Sequence, residues 1–477
     1  MSSLQIPDVL RNGPIAYQGD MHIDTQVLDP LVSTDTFSRF VLPSIGFLDT
    51  GSVITFSVKV AANDVGFFPV KTGCAAAISS CILKVGNKVV CITDQYGKYS
   101  TIRRAFHTPE EKGQKDMVHM GSTDNLCPNN GGTGEYQLRD VDYNTDLNPA
   151  LMVTADIMPQ FRLTTSSTDC PVWSIKLSEM FPALRNLTLP LFAIDQDCSI
   201  EIVWNKQETG ELGKVACFDA AYTANAQNDT SATVDSYNVK FLADYITYDE
   251  ARMNATLEVV MSDDGWNTAY EDVVSVSTNF QAIAQPAVPT NDRVNRDLGF
   301  SGMRLRSILG HFHKASQNDT LLGHYSSDAY QYPSAYNIRV NDKLVYPQDL
   351  DSESQKASQL SQVFGTSICC GNSEYSLDSI VEKDVAARTY SNPMIVAATV
   401  QGLPQQDLQG SMNFMGCDFN IDGLPDERNG ISVGFKPVQV LTNLTNTALD
   451  YGGREVTYFG LVERYLTIRQ GEVHVSA

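Results

Sequence analysis

Asp418-Phe419-Asn420-Ile421-Asp422-Gly423 is the stretch of this chain whose residue types and spacing come nearest to a binding chemistry. Side-chain oxygens at alternate positions, followed by a glycine for the turn, are what the first half of a calcium loop needs, and Asp426 would fill the ninth place. The twelfth place, where a bidentate Glu should close the cage, is Asn429, and the flanks read as strands rather than helices. An acidic Asx/Gly turn between strands is the plainer reading; a weak calcium site at Asp418, Asn420, Asp422 and Asp426 is the alternative. His311-x-His313 would put two imidazoles on one face of a strand, but no acidic or cysteine partner lies at ligand spacing, so a solvated strand face is expected. Gly131-Gly132-Thr133-Gly134 is followed by Glu135 and lacks the lysine of a phosphate cradle, and no Gly-x-Ser-x-Gly nucleophile elbow occurs. No catalytic residue, no cofactor and no enzymatic activity are therefore expected.

The ten cysteines, at 74, 81, 91, 127, 170, 198, 217, 369, 370 and 417, show no CxxC pairing, and Cys81, Cys91 and Cys198 sit in apolar strand-like runs. Buried free thiols are the better reading than disulfides or zinc ligands for a chain made in the cytosol. Five Asn-x-Thr sequons, at Asn186, Asn228, Asn254, Asn318 and Asn443, carry no weight in an Asn- and Thr-rich chain with no signal peptide in view.

The elements around these residues must come from a chain of 477 residues, which is long for one core and suggests two or three domains. Hydrophobic residues make up 42% and charged residues only 19%, the balance of a folded protein that buries much surface. A formal charge of −22, and a first stretch with one Arg and no Lys, give no basic arm for nucleic acid, so direct sequence-specific binding to it is not expected. No run of eighteen apolar residues occurs.

The stretch Trp173 to Trp204 organises the first half: a short helical turn, an apolar segment bracketed by Pro182 and Pro190, and an alternating strand. In that strand Ile200, Ile202 and Trp204 fall on one side, and Ser199, Glu201 and Val203 on the other, the period of two of a half-buried strand in a sandwich. Ile54, Phe56, Val58 and Val60 alternate likewise, and so do Val239, Phe241, Ala243, Tyr245 and Thr247, in a strand that should close the first domain. Leu83 to Val90 reads as a hairpin around Gly86-Asn87, and Gln95 to Phe106 as partly helical. Residues 108 to 149 are polar, Gly-rich and without period, a loop long enough to suggest a purpose such as wrapping a neighbour or decorating an outer surface. Met261 to Asp272 is acidic and turn-forming, a boundary signal. Asp349 to Phe364 reads as the best helix, with Ala357, Leu360, Val363 and Phe364 on one face and Gly365 as stop. A terminal hairpin should turn at Gln470-Gly471.

Two internal echoes point to a repeat. Leu83-Lys84-Val85-Gly86-Asn87-Lys88-Val89-Val90 matches Ile338-Arg339-Val340-Asn341-Asp342-Lys343-Leu344-Val345 in character at every position. Phe241 to Thr247 likewise parallels Leu461 to Thr467. Both keep their order, so two successive copies of one all-β domain are expected, at 1–260 and 261–477.

Four ordered landmarks also carry a resemblance. Ser178-Glu179-Met180-Phe181-Pro182, then Leu189-Pro190-Leu191-Phe192, then Ile200-Glu201-Ile202 form the first; Leu242 to Tyr248 and Asn337 to Tyr346 are the second and third. The fourth is the closing Val462-Glu463-Arg464-x-Leu466-x-Ile468 strand with Gln470-Gly471 and a short final strand. In this order they resemble the double jelly-roll major capsid proteins of Polinton-like viruses and virophages, and more distantly those of nucleocytoplasmic large DNA viruses.

The resemblance implies an all-β fold of two consecutive eight-stranded jelly rolls with short helices in the loops. It implies homotrimers of pseudo-sixfold outline that tile an icosahedral shell, made in the host cytoplasm and ending in the virion. The implied partners are copies of the chain itself, neighbouring capsomers, and penton and minor capsid proteins. An internal membrane is compatible with the family but not indicated by the sequence. A secreted carbohydrate-binding or carbohydrate-active β-sandwich, using Trp173, Trp204 and Trp266, is the rival reading, and a minor virion protein is a third.

Overall fold

The computed structural model describes residues 21–59, 72–105, 172–205 without 186, 233–280 without 236 and 237, 290–314, 335–363, 414–420, 430–446 and 454–476. It also describes a few short pieces between them: 64–67, 119, 127–128, 136–137, 216–219, 381–382 and 411–412. Among the described residues no helix is long and apolar enough to cross a membrane.

Eight principal strands build the first unit: β1 (His22–Leu28), β2 (Phe37–Leu42), β3 (Val53–Lys59), β4 (Ile78–Val85), β5 (Lys88–Asp94), β6 (Val172–Lys176), β7 (Cys198–Trp204) and β8 (Lys240–Thr247). They pair antiparallel in two sheets, β1-β8-β3-β6 and β2-β7-β4-β5. Alternation explains why these residues form strands that stack: Ile54, Phe56 and Val58 are fully buried from one sheet, and Phe40, Leu83, Ile200 and Ile202 from the other. Phe40 meets Phe241 at 5.8 Å and Phe56 meets Trp204 at 5.0 Å between ring centres, aromatic bridges across the sandwich.

The second unit repeats this order strand for strand: β9 (Trp266–Phe280), β10 (Thr290–Leu298), β11 (Arg304–Lys314), β12 (Ala335–Val340), β13 (Lys343–Leu344), β14 (Phe414–Asp418), β15 (Val438–Asn446) and β16 (Arg454–Arg469). Its sheets are β9-β16-β11-β14 and β10-β15-β12-β13. Each strand of the first unit thus has its counterpart eight numbers later, in the same place in the same sheet. A last strand, β17 (Glu472–Ser476), folds back on β16 through a turn in which Gln470 and Gly471 have φ of 50° and 78°, as the sequence suggested.

The echoed hairpins fall where a duplication requires. Leu83 to Val85 end β4 and Ile338 to Val340 end β12; Lys88 and Lys343 each open the next strand, paired with Val85 and Val340. Both valines are buried, so their facing agrees. The turns differ in chemistry: one uses Gly86 at φ 56°, the other Asn341 and Asp342, both in the left-handed region that Asn and Asp tolerate. The second echo is right about the strand and one residue out in facing. Phe241, Ala243 and Tyr245 of β8 fill the first core, whereas β16 gives the second core Val456, Tyr458 and Val462, of opposite parity to Leu461, Glu463 and Tyr465. Glu463 is instead buried against Arg304 at 3.8 Å and Arg306 at 3.2 Å, an ion-pair cluster that occupies the other face.

Other expectations need correction. β7 is not half-buried, because it lies between β2 and β4, and Ser199 and Glu201 on its second face are buried too; Glu201 is covered by Arg39 and Lys84. The boundary turn is confined to 262–265. Before it runs helix α2 (Glu250–Met261), capped by Asp249, and from Trp266 onward the chain is already strand. Helix α1 (Tyr96–Ala105) stands where expected, but α3 (Glu353–Val363) starts later than Asp349, with Ser352 as its cap. The residues before it are held elsewhere: Leu350 exchanges backbone hydrogen bonds with Tyr336, and Asp349 accepts from Asn337. Phe364, Gly365 and the loop 108–149, apart from a few short pieces, lie outside the described residues.

Candidate functional site

Few of the residues singled out for chemistry are brought together. Asp418 ends β14, and its Oδ1 accepts from the Asn420 backbone N–H at 3.1 Å and side-chain amide at 2.8 Å, the geometry of an Asx turn. Asp422 and Asp426 lie outside the described residues, as does the Gly131 run. His311 does not sit on a solvated face: it is fully buried in β11, which runs between β14 and β16 and so has neighbours on both sides. No group of three or more His, Cys, Asp or Glu among the described residues could hold a metal. Cys74, Cys81, Cys91, Cys198 and Cys417 are free and buried, and burial pushes the Cys198 and Cys417 thiols up to about 12. Trp173, Trp204 and Trp266 are all buried in the core, which removes the aromatic platforms a sugar-binding reading requires.

The concentrated polar chemistry lies instead at the seam between the two units, which sequence reasoning did not anticipate. Gln95, at φ 52°, turns the chain from β5 into α1, and Gln95 together with Lys98 and Tyr99 of α1 faces the second unit. Gln95 Nε2 donates to Ser277 Oγ at 2.8 Å, the buried Lys98 Nζ donates to Thr457 Oγ1 at 3.3 Å, and the Tyr99 ring lies 5.6 Å from that of Phe459. Arg185, from the loop ahead of β7, donates to the Tyr99 hydroxyl at 2.9 Å and pairs with Glu271 at 3.4 Å.

Below this, the outer edge of β5 is capped by side chains of β9. The Tyr270 hydroxyl donates to the Val90 carbonyl at 2.6 Å. Asp272, fully buried, pairs with Arg464 at 3.1 Å and accepts from the backbone N–H groups of Val273 and Ile92. Burial outweighs these partners and lifts its carboxyl to about 6. The terminal hairpin completes the cover: Lys88 Nζ donates to the Val473 carbonyl at 2.7 Å, and the Asp195 N–H to the Gly471 carbonyl at 3.0 Å. Trp266, Tyr270, Leu466, Ile468 and Val473 belong to the same apolar cluster as the core of the first unit.

The seam is heterologous. One unit contributes its outer strand β5, the helix after it and the loop before β7; the other contributes β9, β16 and β17. Two edge strands that would template unwanted pairing are thereby closed, and what the arrangement does chemically is to bury and satisfy polar groups.

No family model and no curated protein matches this chain. Solved structures do. A chain of the PBCV-1 virus capsid is similar at 9% identity over 97% of this chain and 98% of that one, with a TM-score of 0.56. A chain of the Sputnik virophage is similar at 12% identity over 98% and 90%, also at 0.56. The Faustovirus major capsid protein is similar at 9% identity over 96% and 92%, at 0.51. The strand order and these likenesses agree: the fold is the double jelly roll of viral major capsid proteins of the virophage and large-DNA-virus type.

Proposed function

We propose that this chain is a major capsid protein, three copies of which form a pseudo-hexameric capsomer that tiles an icosahedral virus shell. The observation that carries this is the pair of strand-for-strand matched units joined by a polar, heterologous seam. Each chain then offers two nearly equal wedges, and a ring of three offers six. The division falls at 1–260 and 261–477. The partners are other copies, neighbouring capsomers, and penton and minor capsid proteins. The role is structural, with no catalysis and no sequence-specific nucleic-acid binding, and the chain is made in the host cytoplasm and carried in the virion. The burial of all three tryptophans speaks against the carbohydrate reading.

Purified particles test this by protein abundance. As the shell's main component the chain should be the most abundant virion protein; a few copies per particle would make it a minor component instead.

A further inference from the structure

The seam leaves two faces of the molecule open, because each unit has both kinds of face and the seam uses one of each. The face built from β5, α1 and the loop before β7 is covered in the first unit, but its counterpart in the second unit, beside β13 and the loop before β15, has no second unit beyond it. The face built from β9 and β16 is covered in the second unit, but among the described residues its counterpart in the first, β1 and β8, carries no further strand beyond β1.

The exposed apolar residues gather on these two faces. Of the eleven large hydrophobics exposed among the described residues, five are Met21 just before β1, Ile23 and Val27 on it, and Leu31 and Val32 after it, and a sixth is Phe435. Met21, Ile23 and Val27 share one face of an edge strand that pairs only with β8 among the described strands. Phe435 is fully exposed at 102%, yet its loop is pinned: Gly434 N–H donates to Asn341 Oδ1 at 2.9 Å, Asn341 Nδ2 to the Ser432 carbonyl at 3.0 Å, and Lys436 pairs with Asp342. Leu344, also exposed, is not counted, since its counterpart Val89 remains 40% exposed beside the seam.

The duplication says what Phe435 should meet. It stands three residues ahead of β15, as Asp195 stands three ahead of β7, and Asp195 donates its N–H to Gly471, two residues past the end of β16. The corresponding place on the first unit is Asp249, two residues past β8, where Thr247 pairs with His22 and Ile246 with Ile23.

Resting on the proposed assembly, we infer that Phe435 of one copy seats against Met21 and Ile23 at the end of β1 of the next copy, in a contact that repeats the internal seam. Only another copy of this chain supplies both faces at once, and a head-to-tail contact of this kind closes into a ring.

Light scattering after gel filtration of the full chain tests this with F435D, with the double variant I23D/V27D, and with their equimolar mixture. Wild type should run as a trimer, and each variant should need at least about a hundredfold higher concentration to assemble. The mixture should yield heterodimers and no closed ring, because one good tip still finds one good edge. Either variant assembling like wild type overturns the inference while leaving the trimer intact; a monomeric wild type overturns both. Should a variant not fold, hydrogen exchange on wild type decides: the amides of residues 22–28 should be slower in the assembled than in the diluted state, and equal rates overturn the inference.

Discussion

Tyr270, on the first strand of the second unit, donates its hydroxyl proton at 2.6 Å to the carbonyl of Val90, on the outermost strand of the first. That carbonyl lies on the edge strand β5, which among the described strands pairs only with β4, so no further strand donates to it and a side chain from the other unit takes the place of a ladder. Y270F should lower stability by about 1–3 kcal/mol, because a buried acceptor is left without its donor. Urea denaturation checks this, and an unchanged midpoint would mean that the bond contributes nothing to the seam.

Asp272 gives the seam a pH dependence. Its folded carboxyl, lifted to about 6 by burial, lies above the unfolded value near 3.9. Its favourable contribution is therefore fully present below the unfolded value and is lost as pH rises through about 6. Wild type should gain stability relative to D272N when pH falls from 7 to about 5, with thermal midpoints at both values as the measurement. Parallel shifts in the two proteins would place the titration elsewhere.

Gly471 has φ 78°, and a Cβ there would lie 2.2 Å from the Asp195 carboxylate. G471A should thus cost about 1–3 kcal/mol, from the left-handed backbone and from the forced retreat of the loop before β7. Calorimetry should show a lower midpoint; one equal to wild type would show that the terminal hairpin is not held against the first unit.

The thiols should be reduced and slow to react. Burial lifts Cys81 and Cys91 well above the ordinary range, and Asp94 and Asp272 add to it. Iodoacetamide should spare the buried Cys74, Cys81, Cys91, Cys198 and Cys417 in the native protein and label nearly all ten cysteines after denaturation without reductant. Labelling of only a few in the denatured state would reveal disulfides.

The repeated unit was legible because strands advertise themselves by alternation and the hairpin at Leu83 carries its turn chemistry in the sequence. The seam was not. Lys98 and Asp272 look like surface residues in one dimension, and only the meeting of elements far apart in the chain buries them. Helix α2 was missed for a related reason: only Thr256 and Val260 of its twelve residues are deeply buried, too few to write a stripe. His311 was placed on a solvated face because no acidic or cysteine partner lies at ligand spacing in the sequence, whereas its burial comes in a strand that runs between β14 and β16.

Whether two matched units in one chain build a threefold capsomer is tested most directly by the native mass at micromolar concentration. Light scattering should give the mass of three 52.4-kDa chains, stable to dilution until the chain unfolds. A monomer mass at that concentration would contradict the account.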